Sequence, residues 1–169
     1  MIRSTEPTDT PALVEVARDT GVFRPTELVA LREVLDDYHA RERVNGHLAV
    51  TCEHDGRPVG FAYYAPSAMS ERGWYLWWIA VEPARRGEGL GSELLRHAED
   101  EVRDAGARLM IIETSGQPRY EPTRRFYLAH GYQVAAVIKD FYADGDDQVV
   151  FIRRFQPRAD PIPGADAPA

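Results

Sequence analysis

The chain has 169 residues, of which 44% are apolar and 28% are charged, and its net charge is −7. This composition is typical of a globular protein and excludes a collagen-like chain, a disulfide scaffold and a wholly disordered polypeptide. The length predicts one domain, with a core large enough to need neither disulfides nor a structural metal.

Charge and patterning also limit the partners that we expect. A negative net charge argues against a general nucleic-acid-binding protein. The apolar run at 74–81 is too short to span a membrane, and the N-terminus lacks an apolar signal core. The single cysteine, Cys52, cannot form an internal disulfide, so we expect a cytoplasmic location. The five histidines show no metal-ligand spacing, and no metal site is predicted.

Hydrophobic periodicity and turn residues predict an alternation of strands and helices without repeats or linkers. Thr10 before Pro11 is predicted to cap the first helix, and Asp55-Gly56 predicts a hairpin. In chain order the predicted elements are a strand at 2–5, helices at 10–19 and 26–43, strands at 47–53, 59–65 and 74–81, a helix at 91–105, a strand at 109–114, a helix at 122–130, and strands at 132–139 and 148–154. We therefore expect an α/β domain at residues 1–155, followed by a disordered tail at 156–169.

The most informative segment is the glycine-rich loop between the strand at 74–81 and the helix that follows. Gly87, Gly89 and Gly91 allow backbone N–H groups to approach an anion, and the helix N-terminus adds its positive dipole end. Arg85 and Arg86 add formal charge, so the loop is predicted to bind phosphate or pyrophosphate. The glycine spacing fits dinucleotide folds poorly, and the lysine of a P-loop is missing. A tight turn that binds nothing is the alternative interpretation.

Two motifs in order carry a specific resemblance. Residues 86–91, with the sequence Arg-Gly-Glu-Gly-Leu-Gly, resemble the R/Q-x-x-G-x-G/A signature of the GNAT superfamily of acetyl-CoA-dependent N-acetyltransferases. Residues 122–132, which contain Phe126, Tyr127 and Gly131, resemble the second cofactor motif of that family. The resemblance covers residues 1–155. It implies a mixed, mostly antiparallel sheet of about seven strands flanked on both faces by about four helices.

The resemblance also implies which residues bind acetyl-CoA. Strands 74–81 and 109–114 would splay apart, and backbone groups of the first would pair with the pantetheine arm. An amide near Val81 would polarise the acetyl carbonyl, and the glycine loop would hold the pyrophosphate. The residues implied in cofactor binding are Ile79, Ala80, Val81, Arg86, Gly87, Glu88, Gly89, Leu90, Gly91, Ser92, Thr123 and Tyr127.

Two residues are candidate catalytic groups. The resemblance implies that Tyr127 protonates the departing thiolate, which is chemically reasonable because a phenol has a pKa of ~10 and a thiol ~8.5. A core aromatic is the alternative interpretation of Tyr127. The strand at 74–81 contains no carboxylate, so we expect Glu113 to be the base or substrate anchor. Glu82, Glu71 and water remain alternatives for the base.

The acceptor is predicted from chemistry and topology. Tyr63, Trp77 and Glu113 are the predicted substrate residues, and only one of each adjacent aromatic pair, Tyr63/Tyr64 and Trp77/Trp78, should face the cleft. Aromatics with carboxylates suit an organic cation. We therefore expect acetyl transfer from acetyl-CoA to a primary amine of a small molecule by direct attack, with no covalent acetyl-enzyme.

Other functions stay open from the sequence alone. They are a protein or peptide amine acetyltransferase, a catalytically silent acyl-CoA-binding domain, and a nucleotide-binding module that uses the same loop. Neither a nucleic acid nor a membrane is an expected partner, and the resemblance is compatible with a homodimer.

Overall fold

The computed structural model describes residues 1–156, so the predicted tail lies outside the described residues except for Gln156. The strands are β1 (Ile2–Ser4), β2 (Leu48–His54), β3 (Arg57–Pro66), β4 (Gly73–Val81), β5 (Leu109–Ser115), β6 (Gln133–Ala143) and β7 (Asp146–Arg154). The helices are α1 (Thr10–Asp19), α2 (Pro25–Ala40), α3 (Leu90–Asp104) and α4 (Glu121–Ala129).

The seven strands form one sheet in the order β1-β2-β3-β4-β5-β7-β6. Only the β4–β5 pair is parallel, which confirms the predicted mixed, mostly antiparallel sheet. These two strands pair only over Gly73–Tyr75 and Leu109–Ile111 and then diverge. The predicted splay of the two strands is therefore present.

Helices cover both faces of the sheet, as predicted. On one face, α1 and α2 bury Leu13, Leu31 and Leu35 against β3 and β4. On the other face, α3 and α4 bury apolar side chains such as Leu94 and Tyr127 against the sheet. The central strands are consequently buried on both sides, which explains the nearly continuous apolar runs in their sequences.

The start of α1 differs from the prediction. The helix begins at Thr10, with Asp9 in the N-cap position and a 3₁₀ turn before it. Asp9 accepts hydrogen bonds from the Arg3 guanidinium at 2.7 and 2.9 Å and from the Glu6 amide at 2.8 Å. The Thr10 hydroxyl is buried, and no atom of residues 1–156 hydrogen-bonds it. The prediction of Thr10 as the cap is therefore wrong by one residue.

No helix in residues 1–156 is long and apolar enough to cross a membrane. The same residues contain no group of three or more His, Cys, Asp or Glu side chains that could hold a metal ion.

Candidate functional site

A cleft of about 850 Å³ opens where β4 and β5 diverge. Both strands, α4 and the segment before α2 line this cleft. A pocket of about 420 Å³ at the glycine loop adjoins it and shares Val81, Arg86, Gly91 and Phe126 with its lining. The groove thus extends from the N-terminus of α3, past the carboxyl end of β4, to the carboxyl end of β5.

The glycine loop has the backbone geometry of an anion-binding turn. Gly87 and Gly89 have φ values of +88° and +84°, which lie in the left-handed region that side chains rarely adopt. Gly89 is the N-cap of α3, and the first helical hydrogen bond runs from the Glu93 amide to its carbonyl. The amides of Leu90, Gly91 and Ser92 therefore have no acceptor within the helix.

The two arginines of the loop differ in their surroundings. Arg85 lies 3.1 Å from the carboxylate of Glu88 and 3.7 Å from that of Glu82, which offset its charge. Arg86 is exposed, lines both parts of the groove and donates to the Thr20 carbonyl at 3.4 Å. Arg86 is therefore the guanidinium that remains available to an anion.

The phenol of Tyr127 lies on the wall of the cleft. The side chain is only 4% exposed and packs against Tyr132 and Phe151. No atom within residues 1–156 makes a hydrogen bond to its hydroxyl. Burial raises the pKa of Tyr127, so the phenol stays protonated at neutral pH but is a weaker acid than a free phenol.

Glu113 lies near the carboxyl end of β5 and lines the cleft. Its carboxylate accepts a hydrogen bond from Gln148 Nε2 at 3.0 Å, and the same amide lies 3.5 Å from the Tyr142 hydroxyl. No cation among the described residues pairs with it. The Glu113 side chain is exposed to the cleft, and its partial burial raises the pKa of the carboxyl, which makes the carboxylate a better proton acceptor near neutral pH.

The two alternative bases lie outside the cleft lining. Arg57 holds Glu82 through two hydrogen bonds of 3.0 and 2.8 Å, which lower the pKa of that carboxyl. The Glu71 side chain is 86% exposed and lies 3.8 Å from the Arg72 guanidinium. The carboxylates that do line the cleft are Glu27, Glu113 and Asp146.

Aromatic side chains from β4 form part of the wall. Trp77 is 52% exposed and stacks on Tyr75 with a centroid distance of 4.8 Å. Trp78 packs against Phe23 at 5.3 Å. Both tryptophans line the cleft, so the expectation of one per pair is wrong here. The cleft borders the free edge of β4, and residues on either face of the strand reach it.

Tyr63 does not line the cleft, so its prediction as a substrate residue is wrong for this site. Its side chain is buried on the α1/α2 face, where the hydroxyl lies 2.5 Å from His47 Nδ1 and the ring packs against Tyr38. Tyr64 points to the α3 face and donates to Glu101. Strand β3 lies inside the sheet and is covered on both faces, so neither tyrosine reaches the cleft.

The groove brings most of the predicted cofactor residues together. One exception is Glu88, which lines neither part and pairs with Arg85. The residues that do line the groove are Ile79, Ala80, Val81, Arg86, Gly87, Gly89, Leu90, Gly91, Ser92, Thr123 and Tyr127. Trp77 and Glu113 line its far end.

Sequence reasoning missed several residues at that far end. Tyr120 donates to the Val22 carbonyl at 2.9 Å, which joins the segment after β5 to the segment before α2. Asp146 is buried and accepts a hydrogen bond from Ser115. Tyr142 and Asp146 flank the β6–β7 turn. In the sequence, these residues could have been identified from the polar and aromatic side chains that follow β5 and surround the β6–β7 turn.

The sequence and the fold are both similar to those of proteins of one family. The sequence profile of the Acetyltransferase (GNAT) family matches residues 12–132. A solved structure of a GNAT-family protein from Desulfovibrio desulfuricans superposes with a TM-score of 0.87 and 36% identity, over 91% of this chain and 98% of that chain.

Two curated relatives match in sequence. An aminoalkylphosphonate N-acetyltransferase from Salmonella typhimurium is 44% identical over 55 residues, which are 32% of this chain and 34% of the relative. An uncharacterised N-acetyltransferase from Methanocaldococcus jannaschii is 29% identical over 103 residues, 60% of this chain and 63% of the relative. The matches thus span about a third and about three-fifths of these relatives.

Proposed function

The chain belongs to the Acetyltransferase (GNAT) family, and we propose that it transfers an acetyl group from acetyl-CoA to a primary amine of a small molecule. One observation carries this proposal. The divergence of β4 and β5 opens a groove with the glycine loop at one end and the uncompensated carboxylate of Glu113 at the other. A bound thioester and an incoming amine would meet between these ends.

The loop fits the pyrophosphate of acetyl-CoA. A Cβ at Gly87 or Gly89 would have no non-adjacent atom of the described residues within 4 Å, which leaves room for an anion. The free amides at the start of α3 and the side chain of Arg86 supply donors and positive charge. The carboxylate of Glu88 forms an ion pair with Arg85, which reduces its electrostatic repulsion of a bound anion.

The free edge of β4 suits the pantetheine arm. Beyond Tyr75, the side of β4 that faces β5 has no strand partner among residues 1–156, and Ile79, Ala80 and Val81 line the cleft there. An extended, amide-containing arm can add to such an edge through backbone hydrogen bonds. This placement would bring the acyl end of the arm toward Tyr127.

The chemistry follows from the groups in the cleft. The neutral amine attacks the thioester carbonyl, so a C–N bond forms and the C–S bond breaks. Glu113, directly or through water, accepts the proton that the amine must lose. The departing thiolate takes a proton from Tyr127, whose hydroxyl has no other partner among residues 1–156, and solvent returns that proton. The burial that raises the pKa of Tyr127 keeps the phenol protonated at neutral pH and also makes it a weaker acid than a free phenol.

The lining of the far end favours an acceptor that is an organic cation. Glu113 carries negative charge without a cationic partner in residues 1–156, and Asp146 is hydrogen-bonded by a neutral hydroxyl. The stacked pair of Trp77 and Tyr75 offers exposed ring faces for cation–π contact. A small amine can enter the cleft, whose volume of about 850 Å³ is in the range of small-molecule sites.

The test is release of free coenzyme A thiol from acetyl-CoA, followed across a panel of acceptors. The panel includes aliphatic diamines, aminoalkylphosphonates, and peptides with free N-termini or lysines. Turnover with small amines supports the proposal, and preference for peptides would replace its acceptor. Tight binding of acetyl-CoA without turnover on any acceptor would favour a silent acyl-CoA-binding domain. The aminoalkylphosphonate arm is included because Arg24 and Arg119 also line the cleft.

Two further proposals concern the whole protein. We propose a cytoplasmic location, which fractionation of the source cells tests. A homodimer also stays a proposal, and light scattering after size-exclusion chromatography measures it directly.

A further inference from the structure

His130, at the C-terminal end of α4, reaches across to the first turn of α3. Its Nδ1 lies 2.7 Å from the carbonyl oxygen of Phe126, and its Nε2 lies 2.9 Å from the hydroxyl oxygen of Ser92. Its ring also packs on that of Phe126 at 4.3 Å. Both Ser92 and Phe126 line the pocket at the glycine loop. The imidazole is therefore one hydrogen bond away from the proposed phosphate site.

The Phe126 contact fixes which nitrogen of the ring carries a proton. A carbonyl oxygen only accepts hydrogen bonds, so Nδ1 must be protonated. In the neutral ring, Nε2 is then an acceptor, and the Ser92 hydroxyl must donate its single proton to it. In that state, Ser92 presents only lone pairs to the pocket, which a phosphate oxygen does not favour.

Protonation of the imidazole reverses this arrangement. Nε2 then donates to the Ser92 oxygen, and the Ser92 proton becomes free to point into the pocket toward an anion. The extra positive charge also lies one side chain away from that anion.

The charged groups around His130 come from two elements, α3 and β7. On α3, Arg96 donates to the Ser92 carbonyl at 3.3 Å, and Glu99 lies 2.7 Å from Arg153. On β7, Arg153 donates to the His130 carbonyl at 2.8 Å. The negative charge of Glu99 is already paired with Arg153. A phosphate bound at the loop would therefore be the added negative charge that favours the protonated over the neutral imidazole of His130.

We propose that His130 is a positioning residue for the glycine loop. The His130 imidazole takes up a proton as phosphate binds, and this frees the Ser92 hydroxyl to donate a hydrogen bond to that phosphate. The proposal rests on the proposed function, because the phosphate is that of acetyl-CoA. It goes further by making the affinity for acetyl-CoA depend on one identified side chain and on pH.

The experiment is calorimetric titration with acetyl-CoA, in buffers of different ionisation enthalpy, between pH 6 and pH 8. The buffer dependence of the binding heat gives the number of protons taken up. The phosphate monoester of the ligand also titrates near pH ~6, but it contributes equally to every variant. Wild type is compared with His130→Gln, Ser92→Ala and the control His97→Gln, which removes a histidine of α3 that lies outside the groove lining.

We expect wild type and His97→Gln to take up more protons than His130→Gln. Their affinity for acetyl-CoA should also fall more steeply as pH rises than that of His130→Gln. The extra decrease is at most about tenfold per pH unit, the value for uptake of one additional proton. Ser92→Ala should lose most of the excess uptake, and it provides a second variant if His130→Gln does not fold. Equal uptake by wild type and His130→Gln would overturn the inference, as would full retention in Ser92→Ala.

Two other outcomes are distinguishable. If His130 only held the end of α4, His130→Gln would lower affinity by one constant factor at every pH, and the inference would fail while the proposed function stood. If wild type bound no acetyl-CoA at any pH, the proposed function and this inference would fail together.

Discussion

Glu113 accepts a hydrogen bond from the amide of Gln148 at 3.0 Å, and no arginine, lysine or histidine of residues 1–156 pairs with it. An amide partner orients the carboxylate without lowering its pKa as a cation would, and burial raises that pKa. The arrangement suits a group that must accept a proton and hold a cation.

Glu113→Gln should therefore lower kcat/KM for the amine by about 10²-fold at neutral pH, which is the lower end of general-base effects. In wild type, kcat/KM should rise with pH as Glu113 ionises, over a range above the usual pKa of glutamate, ~4.3. The variant should lose that limb of the pH profile. Glu71→Gln, on the exposed loop before β4, is the matched control and should leave the profile unchanged.

The same substitution has a consequence for stability. A carboxyl whose pKa is raised by folding contributes stability at low pH, and that contribution is lost as pH rises through the raised pKa. Glu113→Gln should thus leave the melting temperature at neutral pH unchanged or slightly higher. A large decrease would instead give Glu113 a structural role.

Tyr127→Phe should lower kcat by about 10²-fold while leaving the Kd for acetyl-CoA nearly unchanged, because only the donor of a proton is removed. Tyr132→Phe is the matched control. It removes a hydroxyl from the same core, where Tyr132 contacts the Met110 sulfur at 3.2 Å, but Tyr132 does not line the cleft. Unchanged turnover in Tyr127→Phe would remove this residue from the mechanism.

Gly89→Asp should abolish binding of acetyl-CoA, because it places bulk and negative charge against the pyrophosphate. The structure offers a matched control in Gly106, which follows the other end of α3. Gly106 has a φ of +81°, close to the +84° of Gly89, and at neither position would a Cβ lie within 4 Å of a non-adjacent atom of residues 1–156. Gly106→Asp should therefore carry a similar cost in the free energy of unfolding and bind acetyl-CoA normally.

Trp77→Ala should raise KM for a cationic acceptor by about two- to fivefold, as expected for one exposed cation–π contact of ~0.5–1 kcal/mol. The melting temperature and the Kd for acetyl-CoA should change little, because Trp77 is 52% exposed. Tyr63→Phe serves as the contrast, since it alters a buried tyrosine outside the cleft. An equal rise in KM in both variants would argue against a specific contact with Trp77.

The sequence predicted those features that local chemistry determines. The apolar run of β4, the glycines before α3 and the Asp55-Gly56 turn each carry their own signal, and the element order followed from them. The cap of α1 was misplaced because Asp9 is fixed by Arg3, which comes from a different element. A local pattern could not show that contact.

The acceptor end of the cleft was harder to predict for a related reason. Whether Tyr63 or Trp77 reaches the cleft depends on the position of its strand in the sheet. Strand β3 is covered on both faces, whereas β4 diverges from β5 after Tyr75 and borders the cleft. Tyr142 and Asp146 reach the site only because β7 pairs with β5 and brings the β6–β7 turn alongside. Such positions follow from strand order, which single-sequence patterns do not specify.

The most direct test of the account is a thermal-shift titration of the wild-type protein with acetyl-CoA, with ATP and NADH in parallel. Ligand at ~100 times its Kd should stabilise the native state by about 2.7 kcal/mol. We expect a concentration-dependent rise in melting temperature with acetyl-CoA and none with ATP or NADH. A well-folded sample whose melting temperature does not respond to acetyl-CoA would contradict it.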